Sequence, residues 1–362
     1  MEFSAAGRLE VRITAADVGK RVSVRSLIKH GPSGEKFTDT VGVLTSWDEG
    51  VLRITRRGGE SVRIPESALV AGKTVPAAPA RRRGPAASYE ELARVASRAW
   101  PPTESARLGD WELRAAAGGE AGRRTGFTRR ANSVLPLGDP GRPLDEALTA
   151  VRGWYAERGL PAYVQTATGA EGTQEVLGAE LERRGWVREV TAEVWVGALA
   201  PLADLPAHPA RVELSRTVDR AWLARYGRKG LDEVALRVLG GGPSVWFATV
   251  PADASGTGAG AGAEAPAAIG RCAVDGRWAG FAAVEVDPAR RREGLGTAVM
   301  AALARRALDE GASAAWLQVE EDNEAARQLY AGLGFTVHHV YHHYRAPEPA
   351  PESPAPAGSG SP

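Results

Sequence analysis

Short runs of alternating hydrophobic and polar residues occupy the first 76 positions, and a period of two predicts β-strands. The runs are residues 9–13, 21–28, 40–47, 51–57 and 61–66. Turn signals rich in glycine separate several of them, and no helical period occurs in this stretch. Five short strands in so few residues favour a small closed β-barrel.

A helical period first appears after residue 87, where predicted helices begin to alternate with strands. The predicted helices are 88–100, 144–159 and 174–185, and the predicted strands are 111–116, 162–167 and 191–198. Ser88, followed by Glu91, gives the first helix a capping-box start. Residues 211–345 repeat this order of elements.

Two segments inside these regions correspond closely. Residues 154–190 and 306–340 both run helix, glycine stop, strand, helix, glycine-aromatic pair and strand. Gln165 corresponds to Gln318, and Gly185–Trp186 corresponds to Gly334–Phe335. This self-similarity predicts a duplicated α/β unit.

Low-complexity segments separate or follow these units. Residues 77–87 are rich in proline and alanine and predict a semi-rigid linker, whose Arg81–Arg82–Arg83 run either is solvated or touches an acidic partner. A loop over 254–267 and a tail over 346–362 have compositions typical of disorder.

Composition then excludes several classes of protein. A length of 362 residues suggests two or three domains, and the net charge of +1 excludes a nucleic-acid binder held by bulk charge. The single cysteine, Cys272, cannot form an intrachain disulfide, which indicates a reducing compartment. No apolar run is long enough for a membrane span, and the first residues lack an apolar signal core. We therefore expect a cytoplasmic protein.

The richest chemical signal follows an apolar strand at 281–286. The run Arg291-Arg292-Glu293-Gly294-Leu295-Gly296 leads from that strand directly into an amphipathic helix. Glycine lets a ligand approach the backbone, and a helix N-terminus offers unpaired N–H groups to a phosphate. A plain tight turn remains the alternative on this motif alone.

A second motif follows the next predicted strand. Asn323, Ala326 and Tyr330 share one face of a predicted helix that ends at Gly334–Phe335. Taken alone, the helix would bury Tyr330 in the core. Together and in this order, the two motifs resemble the GNAT superfamily of acyl-CoA-dependent N-acyltransferases.

The resemblance implies an α+β fold in which helices flank a mixed central sheet. The whole chain resembles a duplicated, actinobacterial GNAT architecture preceded by a small all-β SH3-like barrel. We expect the barrel at 1–76, a degenerate GNAT-like domain at 88–200 and a catalytic GNAT domain at 211–345.

The family also implies acetyl-CoA as the co-substrate. Its pyrophosphate would lie on backbone N–H groups of the glycine turn, and its pantetheine arm would add like a strand beside the strand at 281–286. The residues expected to bind it are Val284, Val286, Arg291, Arg292, Glu293, Gly294, Leu295, Gly296, Thr297, Asn323, Ala326 and Tyr330.

Two catalytic roles follow from the same resemblance. Tyr330 would protonate the departing thiolate, and a carboxylate would accept the proton of the attacking amine. Glu285 is the first candidate for that base because strand alternation turns it away from Val284 and Val286. Glu320 is the second candidate, and a solvated surface role for Glu285 stays open.

The first copy lacks the chemistry of the second. Leu181 stands where the second copy has Tyr330, and Pro140 and Pro143 remove N–H donors from its candidate phosphate turn. We expect this half to be catalytically silent and to shape the acceptor site.

Other residues that suggest chemistry have simpler structural interpretations. His338 and His342 are too far apart on a predicted strand to chelate one ion, so no metal is expected. Trp278 and Trp316 are expected in the core, with a place in the cleft as the alternative. Cys272 is expected to be a buried strand residue.

The sequence therefore predicts an N-acetyltransferase that moves an acetyl group from acetyl-CoA to a primary amine, on a small molecule or a protein. The alternative is an acyl-CoA sensor or scaffold whose barrel docks a partner. Residues 1–76 carry a net charge of only +3, which gives little support to a nucleic-acid partner. The oligomeric state is left open.

Overall fold

A computed structural model describes residues 10–28, 36–76, 84–118, 125–228, 231–252 and 265–348. The Arg81–Arg83 run, most of the 254–267 loop and most of the 346–362 tail lie outside the described residues. Within the described ranges, no helix combines the length and the apolar character needed to cross a membrane.

The N-terminal unit is a five-stranded antiparallel sheet in the order β4-β3-β2-β1-β5. Its strands are β1 (Arg21–Ile28), β2 (Lys36–Asp48), β3 (Val51–Thr55), β4 (Ser61–Pro65) and β5 (Leu69–Thr74). The sheet is open and not the predicted closed barrel, since no pairing joins its edge strands β4 and β5 in the described part of the chain.

One predicted strand of this unit is wrong. Residues 9–13 form no strand in the described part, and Val11 makes a single bridge to Gly72. The fifth strand is β5 instead, which pairs with β1 after a short 3₁₀ turn at Glu66–Ala68. Val11 is exposed while Ile13 is buried, so the earlier segment lacks the buried face of a full strand.

The next segment contains the predicted helices and strands in the predicted order, together with four short strands and one short helix that were not predicted. Its elements are α1 (Tyr89–Ala99), β6 (Glu104–Leu108), β7 (Trp111–Ala115), β8 (Ala117–Gly118), β9 (Thr125–Gly126), β10 (Leu135–Pro136), α2 (Leu144–Ala156), β11 (Tyr163–Thr168), α3 (Glu175–Arg183), β12 (Val187–Ala198) and α4 (Leu199–Ala203). Ser88 caps α1 by accepting from the Glu91 N–H at 3.1 Å. The Glu91 carboxylate does not complete the box, because it accepts from Arg277 and Trp278.

The last segment contains the two motif-bearing helices. Its elements are β13 (Glu213–Ser215), α5 (Arg220–Arg225), α6 (Glu233–Gly240), β14 (Ser244–Val250), β15 (Ala268–Asp275), β16 (Trp278–Val286), α7 (Leu295–Asp309), β17 (Ala314–Glu320), α8 (Glu324–Gly332) and β18 (Thr336–Arg345).

One eight-stranded sheet joins both segments, in the order β11-β18-β12-β17-β16-β15-β14-β13. Strand β12 of the earlier segment lies beside β17, and β18 of the later segment lies beside β11. The last strand of each segment therefore completes the sheet of the other. Within this sheet only β16 and β17 are parallel.

Helices cover both faces of this sheet. α4 and α7 pack on one face, and α1, α5 and α6 pack on the other. Arg271 of β15 is fully buried and donates to carbonyl groups of Leu239, Ala99 and Gly241. Because it satisfies carbonyl groups at the ends of α1 and α6, this guanidinium ties the two helices to the sheet.

The N-terminal sheet docks on the ends of β11, β12 and β18. Arg57 donates to the Val337 carbonyl at 2.9 Å, and Arg188 donates to the Gly59 carbonyl at 2.8 Å. The Thr168 hydroxyl donates to the Arg57 carbonyl at 2.9 Å. These contacts fix the N-terminal unit to the strands that the two segments exchange.

Candidate active site

The strands β16 and β17 separate halfway along their length. Their parallel pairing runs from Trp278 and Ala314 to Phe281 and Leu317, and no later pair joins them. Ala283 has φ of +50°, and the register against β15 shifts at this point. This bulge leaves the β17-facing edge of residues 282–286 without a strand partner in the described chain.

The glycine turn lies beside this free edge. Gly294 caps α7 with φ of +83°, a conformation that glycine adopts without strain. A Cβ atom at position 296 would lie 3.5 Å from Val286 Cγ2 and 3.7 Å from Leu329 Cδ2. These are ordinary van der Waals distances, so the packing of α7 against β16 and α8 does not itself require glycine at 296.

Backbone donors are available at this turn. Among the described residues, no hydrogen bond uses the N–H groups from Arg292 to Thr297. The start of an α-helix leaves such groups without an intrahelical partner and carries a positive partial charge. Arg291 and Arg292 are exposed and form no ion pair within the described chain, so their guanidinium groups add positive charge to the turn.

His208, which no sequence motif singled out, holds this turn in place. Its Nδ1 accepts from the Ala210 N–H at 3.0 Å, so Nε2 carries the proton and donates to the Glu293 carbonyl at 2.7 Å. Arg290 also bonds to the Glu293 carboxylate at 2.8 Å. A lone histidine between two predicted units gave the sequence no signal for this contact.

Tyr330 and Asn323 lie on the helix that faces the turn. Tyr330 is buried, packs edge-on against Phe335, and its hydroxyl bonds to no other described residue. Burial raises the pKa of Tyr330 to about 12, so the phenol keeps its proton at neutral pH. Asn323 Oδ1 accepts from the Ala326 N–H at 3.1 Å, which caps α8 and leaves the side-chain NH₂ group for another partner.

Glu285 is half-buried on the side of β16 that faces α5. Its carboxylate accepts from the Gly227 N–H at 3.0 Å, while Val284 and Val286 pack toward α7. Burial raises the pKa of Glu285, against the opposite effect of Gly227 and Arg225. A carboxylate with a raised pKa is better suited to accept a proton near neutral pH.

A cleft of about 330 Å³ lies between the two segments and is called the central cleft here. Its lining residues are Gly126, Thr128, Arg129, Arg130, Asn132, Leu160, Pro161, Tyr163, Val190, Arg228, Glu320, Tyr341 and His343. The second candidate base, Glu320, therefore lies in its wall. Arg228, which lines the cleft, interacts electrostatically with Glu285, because its charge lowers the pKa of that carboxyl.

The remaining predicted residues take structural places. Trp278 and Trp316 are buried in the core. Cys272 is buried as predicted, and burial raises the pKa of its thiol to about 12. Among the described residues, no group of three or more His, Cys, Asp or Glu side chains is placed to hold a metal ion.

The earlier segment has a cleft beside the start of α2, where the glycine motif is missing. This cleft of about 830 Å³ includes Pro136 of β10, Leu144 of α2, and Leu177 of α3. Pro143 caps α2 in place of a glycine turn. Leu181, which corresponds to Tyr330 in the repeat, is fully buried.

Residues 87–344 match the family model described as "Probable histone acetyltransferase Rv0428c C-terminal". The chain belongs to this family. The match covers more than half of the chain and places it among GNAT-type acetyltransferases.

Further comparisons give partial similarities. The mycothiol acetyltransferase of Frankia alni is 34% identical over 41% of this chain, and the matched region spans only 50% of that relative. A tandem GNAT protein from the clavulanic acid biosynthesis pathway is 18% identical, with a TM-score of 0.49 over 74% of this chain and 89% of that one. A GCN5-related N-acetyltransferase from Kribbella flavida is 18% identical, with a TM-score of 0.47 over 71% of this chain and 96% of that one.

Proposed function

We propose that the protein is an acetyl-CoA-dependent N-acetyltransferase that acts on a primary amine. The observation that carries this proposal is the free edge of residues 282–286, which leads to the glycine turn at the start of α7. An extended pantetheine arm can form main-chain hydrogen bonds along such an edge. A pyrophosphate can lie on the N–H groups from Arg292 to Thr297, beside Arg291.

The reaction would be a direct transfer. The neutral amine nitrogen attacks the thioester carbonyl carbon, a C–N bond forms, the C–S bond breaks, and the electron pair leaves with the CoA sulfur. Tyr330 would donate its proton to that thiolate, and the high pKa of Tyr330 supports this role because the phenol stays protonated. The side-chain NH₂ group of Asn323 would bind the pantetheine arm.

The amine must lose a proton during this reaction. A lysine-like amine with a pKa of about 10.4 is only about 0.1% neutral at pH 7.4, which costs about 4 kcal/mol. Glu285 is the first candidate to accept the proton, supported by its half-buried position and raised pKa. Glu320 in the central cleft is the second.

The acceptor is a further part of the proposal. The family description names a histone acetyltransferase, and the Frankia alni relative is named a mycothiol acetyltransferase. A protein amine and a small-molecule amine are therefore both acceptor classes to test. The second candidate function is an acyl-CoA sensor whose N-terminal unit docks a partner. That alternative gains support from the attachment of the N-terminal unit to β18, where the Arg57 guanidinium donates to the Val337 and His338 carbonyls.

We also propose a tandem architecture in which residues 88–200 form a silent GNAT-like half and 211–345 form the catalytic half. The exchange of β12 and β18 between the segments supports two equivalent units. Pro143 at the start of α2 and Leu181 at the position that corresponds to Tyr330 support the loss of catalytic activity in the first half. The N-terminal unit would be an SH3-like module, supported by five antiparallel strands around one small core.

Acetyl-CoA binding measured by calorimetry tests the proposal on Gly294→Glu. This substitution places an anion and a strained residue where the pyrophosphate would lie, so we expect micromolar binding by the wild type and loss of binding in the variant. Gly311→Glu is the matched control, because Gly311 also has a positive φ of +90° but follows the far end of α7.

Each outcome has a distinct meaning. Failure of the wild type to bind acetyl-CoA would disprove the proposed function, and equal binding by wild type and Gly294→Glu would disprove the phosphate site. Release of CoA thiol on mixing with amines separates the enzyme from the sensor, which would bind acetyl-CoA without turnover.

A further inference from the structure

The central cleft holds more positive charge than a site for a simple amine needs. Three arginines, Arg129, Arg130 and Arg228, line it, against the single carboxylate of Glu320. Arg129 is neutralised by an ion pair with Glu189 at 2.9 Å. Arg130 has no carboxylate partner in the described chain, and Arg228 interacts with the Glu285 carboxylate only through its charge, without an ion pair.

These two arginines contact rings rather than anions. The Arg130 guanidinium carbon lies 5.7 Å from the centre of the Trp100 ring, and that of Arg228 lies 5.4 Å from the centre of the Phe127 ring. Neither forms an ion pair in the described part of the chain, and the buried Arg130 Nε has no hydrogen-bond partner there. Stacking fixes a guanidinium plane and leaves its N–H groups for a ligand.

A second observation also points to a ligand. His343 lines the cleft with only 2% of its surface exposed, and neither ring nitrogen bonds to another described residue. Burial and the nearby charge of Arg130 lower its pKa well below the usual range, so the ring is neutral. A buried polar group without a partner is costly, and a bound polar molecule would remove that cost.

We propose that the acceptor is a small amine that carries an oxyanion, a carboxylate or a phosphate, which Arg130 and Arg228 bind in the central cleft. This inference rests on the proposed acetyltransferase function and names its acceptor class. Guanidinium groups match the geometry of both oxyanions. A volume of about 330 Å³ fits a small molecule, and a basic protein tail would bring like charge against the two arginines.

Matched pairs of amines test the proposal by calorimetry on the full chain saturated with CoA. The pairs are lysine and cadaverine, phenylalanine and phenethylamine, and phosphoethanolamine and ethanolamine. In at least one pair we expect the oxyanion-bearing member to bind tenfold or more tightly than its partner. The first two pairs report on a carboxylate and the third on a phosphate.

Substitutions of the two arginines test whether they bind the oxyanion. Because hydrogen bonds to charged groups are strong, Arg130→Gln and Arg228→Gln should each weaken the preferred ligand about tenfold to a hundredfold. Arg130→Lys keeps the charge and should have a smaller effect. Arg183→Gln, on the exposed surface of α3, is the control and should change nothing. Melting curves identify a variant that fails to fold. Because Arg228 is exposed, Arg228→Gln tests the proposal even if substitution of the less accessible Arg130 disturbs folding.

Equal affinity within every pair, no binding by any oxyanion-bearing amine, or binding unaffected by both Gln variants would overturn the inference. These results leave the proposed function intact if the wild type still binds acetyl-CoA and Gly294→Glu does not. Loss of acetyl-CoA binding by the wild type would instead remove the function on which the inference rests.

Discussion

Tyr330 combines a packing role with the chemical role that we propose for it. Its ring belongs to the hydrophobic core beneath α7, yet its hydroxyl bonds to no other described residue and so can reach a ligand. A thiol with a pKa of about 8.5 leaves readily as a thiolate, so a proton from Tyr330 would give only modest help. The residue should therefore accelerate the reaction without being indispensable.

Tyr330→Phe tests this role because it keeps the ring and removes the hydroxyl. We expect kcat to fall about tenfold to a hundredfold, at the low end for general acid catalysis. The acetyl-CoA Kd should stay unchanged in calorimetry. Tyr344→Phe removes the hydroxyl of another buried tyrosine, which bonds to Glu182, and should leave kcat unchanged. A Tyr330→Phe enzyme with wild-type kcat would rule out the role.

Glu285 should set the acidic limb of the pH profile. A base works only when deprotonated, so kcat/KM should fall as pH decreases through the raised pKa of Glu285. Glu285→Gln should lower kcat/KM about a hundredfold at neutral pH and remove that limb. Steady-state rates across pH, measured in parallel on Glu320→Gln, decide between the two carboxylates. The assignment reverses if only Glu320→Gln has this effect.

At the scale of elements, the glycine turn is a local feature that depends on a distant anchor. The strand, glycine pair and helix follow one another in the sequence, so their local pattern could be predicted. The bond from His208 to Glu293 joins residues 85 positions apart and could not. The conformation of the turn therefore depends on the segment that connects the two halves.

His208→Ala should loosen the turn. One hydrogen bond contributes about 1 kcal/mol, so acetyl-CoA binding should weaken about threefold to tenfold in calorimetry, with little change in the melting temperature. His338→Ala is the matched control, because it removes a similar bond to the Ala87 carbonyl at 3.0 Å, away from the turn. Unchanged affinity in His208→Ala would show that the turn holds its shape without this contact.

The whole molecule is held together by exchanged strands and by the histidine-rich strand β18. His342 lies between the hydroxyls of Thr168 and Thr191, at 3.1 Å and 3.0 Å, next to the docked N-terminal sheet. Burial lowers the pKa of His342 to about 3, so the folded protein holds this ring neutral. In the unfolded chain the same ring takes up a proton near pH 6.5.

This difference makes stability fall in acid. The contribution of neutral His342 is fully present above pH 6.5 and is lost as pH decreases toward 3, by up to about 1.4 kcal/mol per pH unit. His342→Asn cannot titrate, so its unfolding free energy should decline less steeply between pH 6 and 4. Denaturant unfolding at several pH values measures both slopes, and parallel slopes would contradict the assignment.

The sequence by itself determined the local features of this protein. Periodicity located most helices and strands, and the runs at 291–296 and 323–335 indicated the family, because each motif is built by consecutive residues. The prediction failed at residues 9–13, where the pairing with β5 is limited to one bridge between Val11 and Gly72 and does not extend into a strand.

Only the tertiary structure decided the exchange of β12 and β18, the anchor at His208 and the central cleft with Arg130, Arg228 and His343. Strand order depends on hydrogen bonds between segments more than a hundred residues apart, and alternation within one strand does not specify its neighbour. The cleft joins residues of both segments, so its charge and its unpartnered groups exist only in the folded chain.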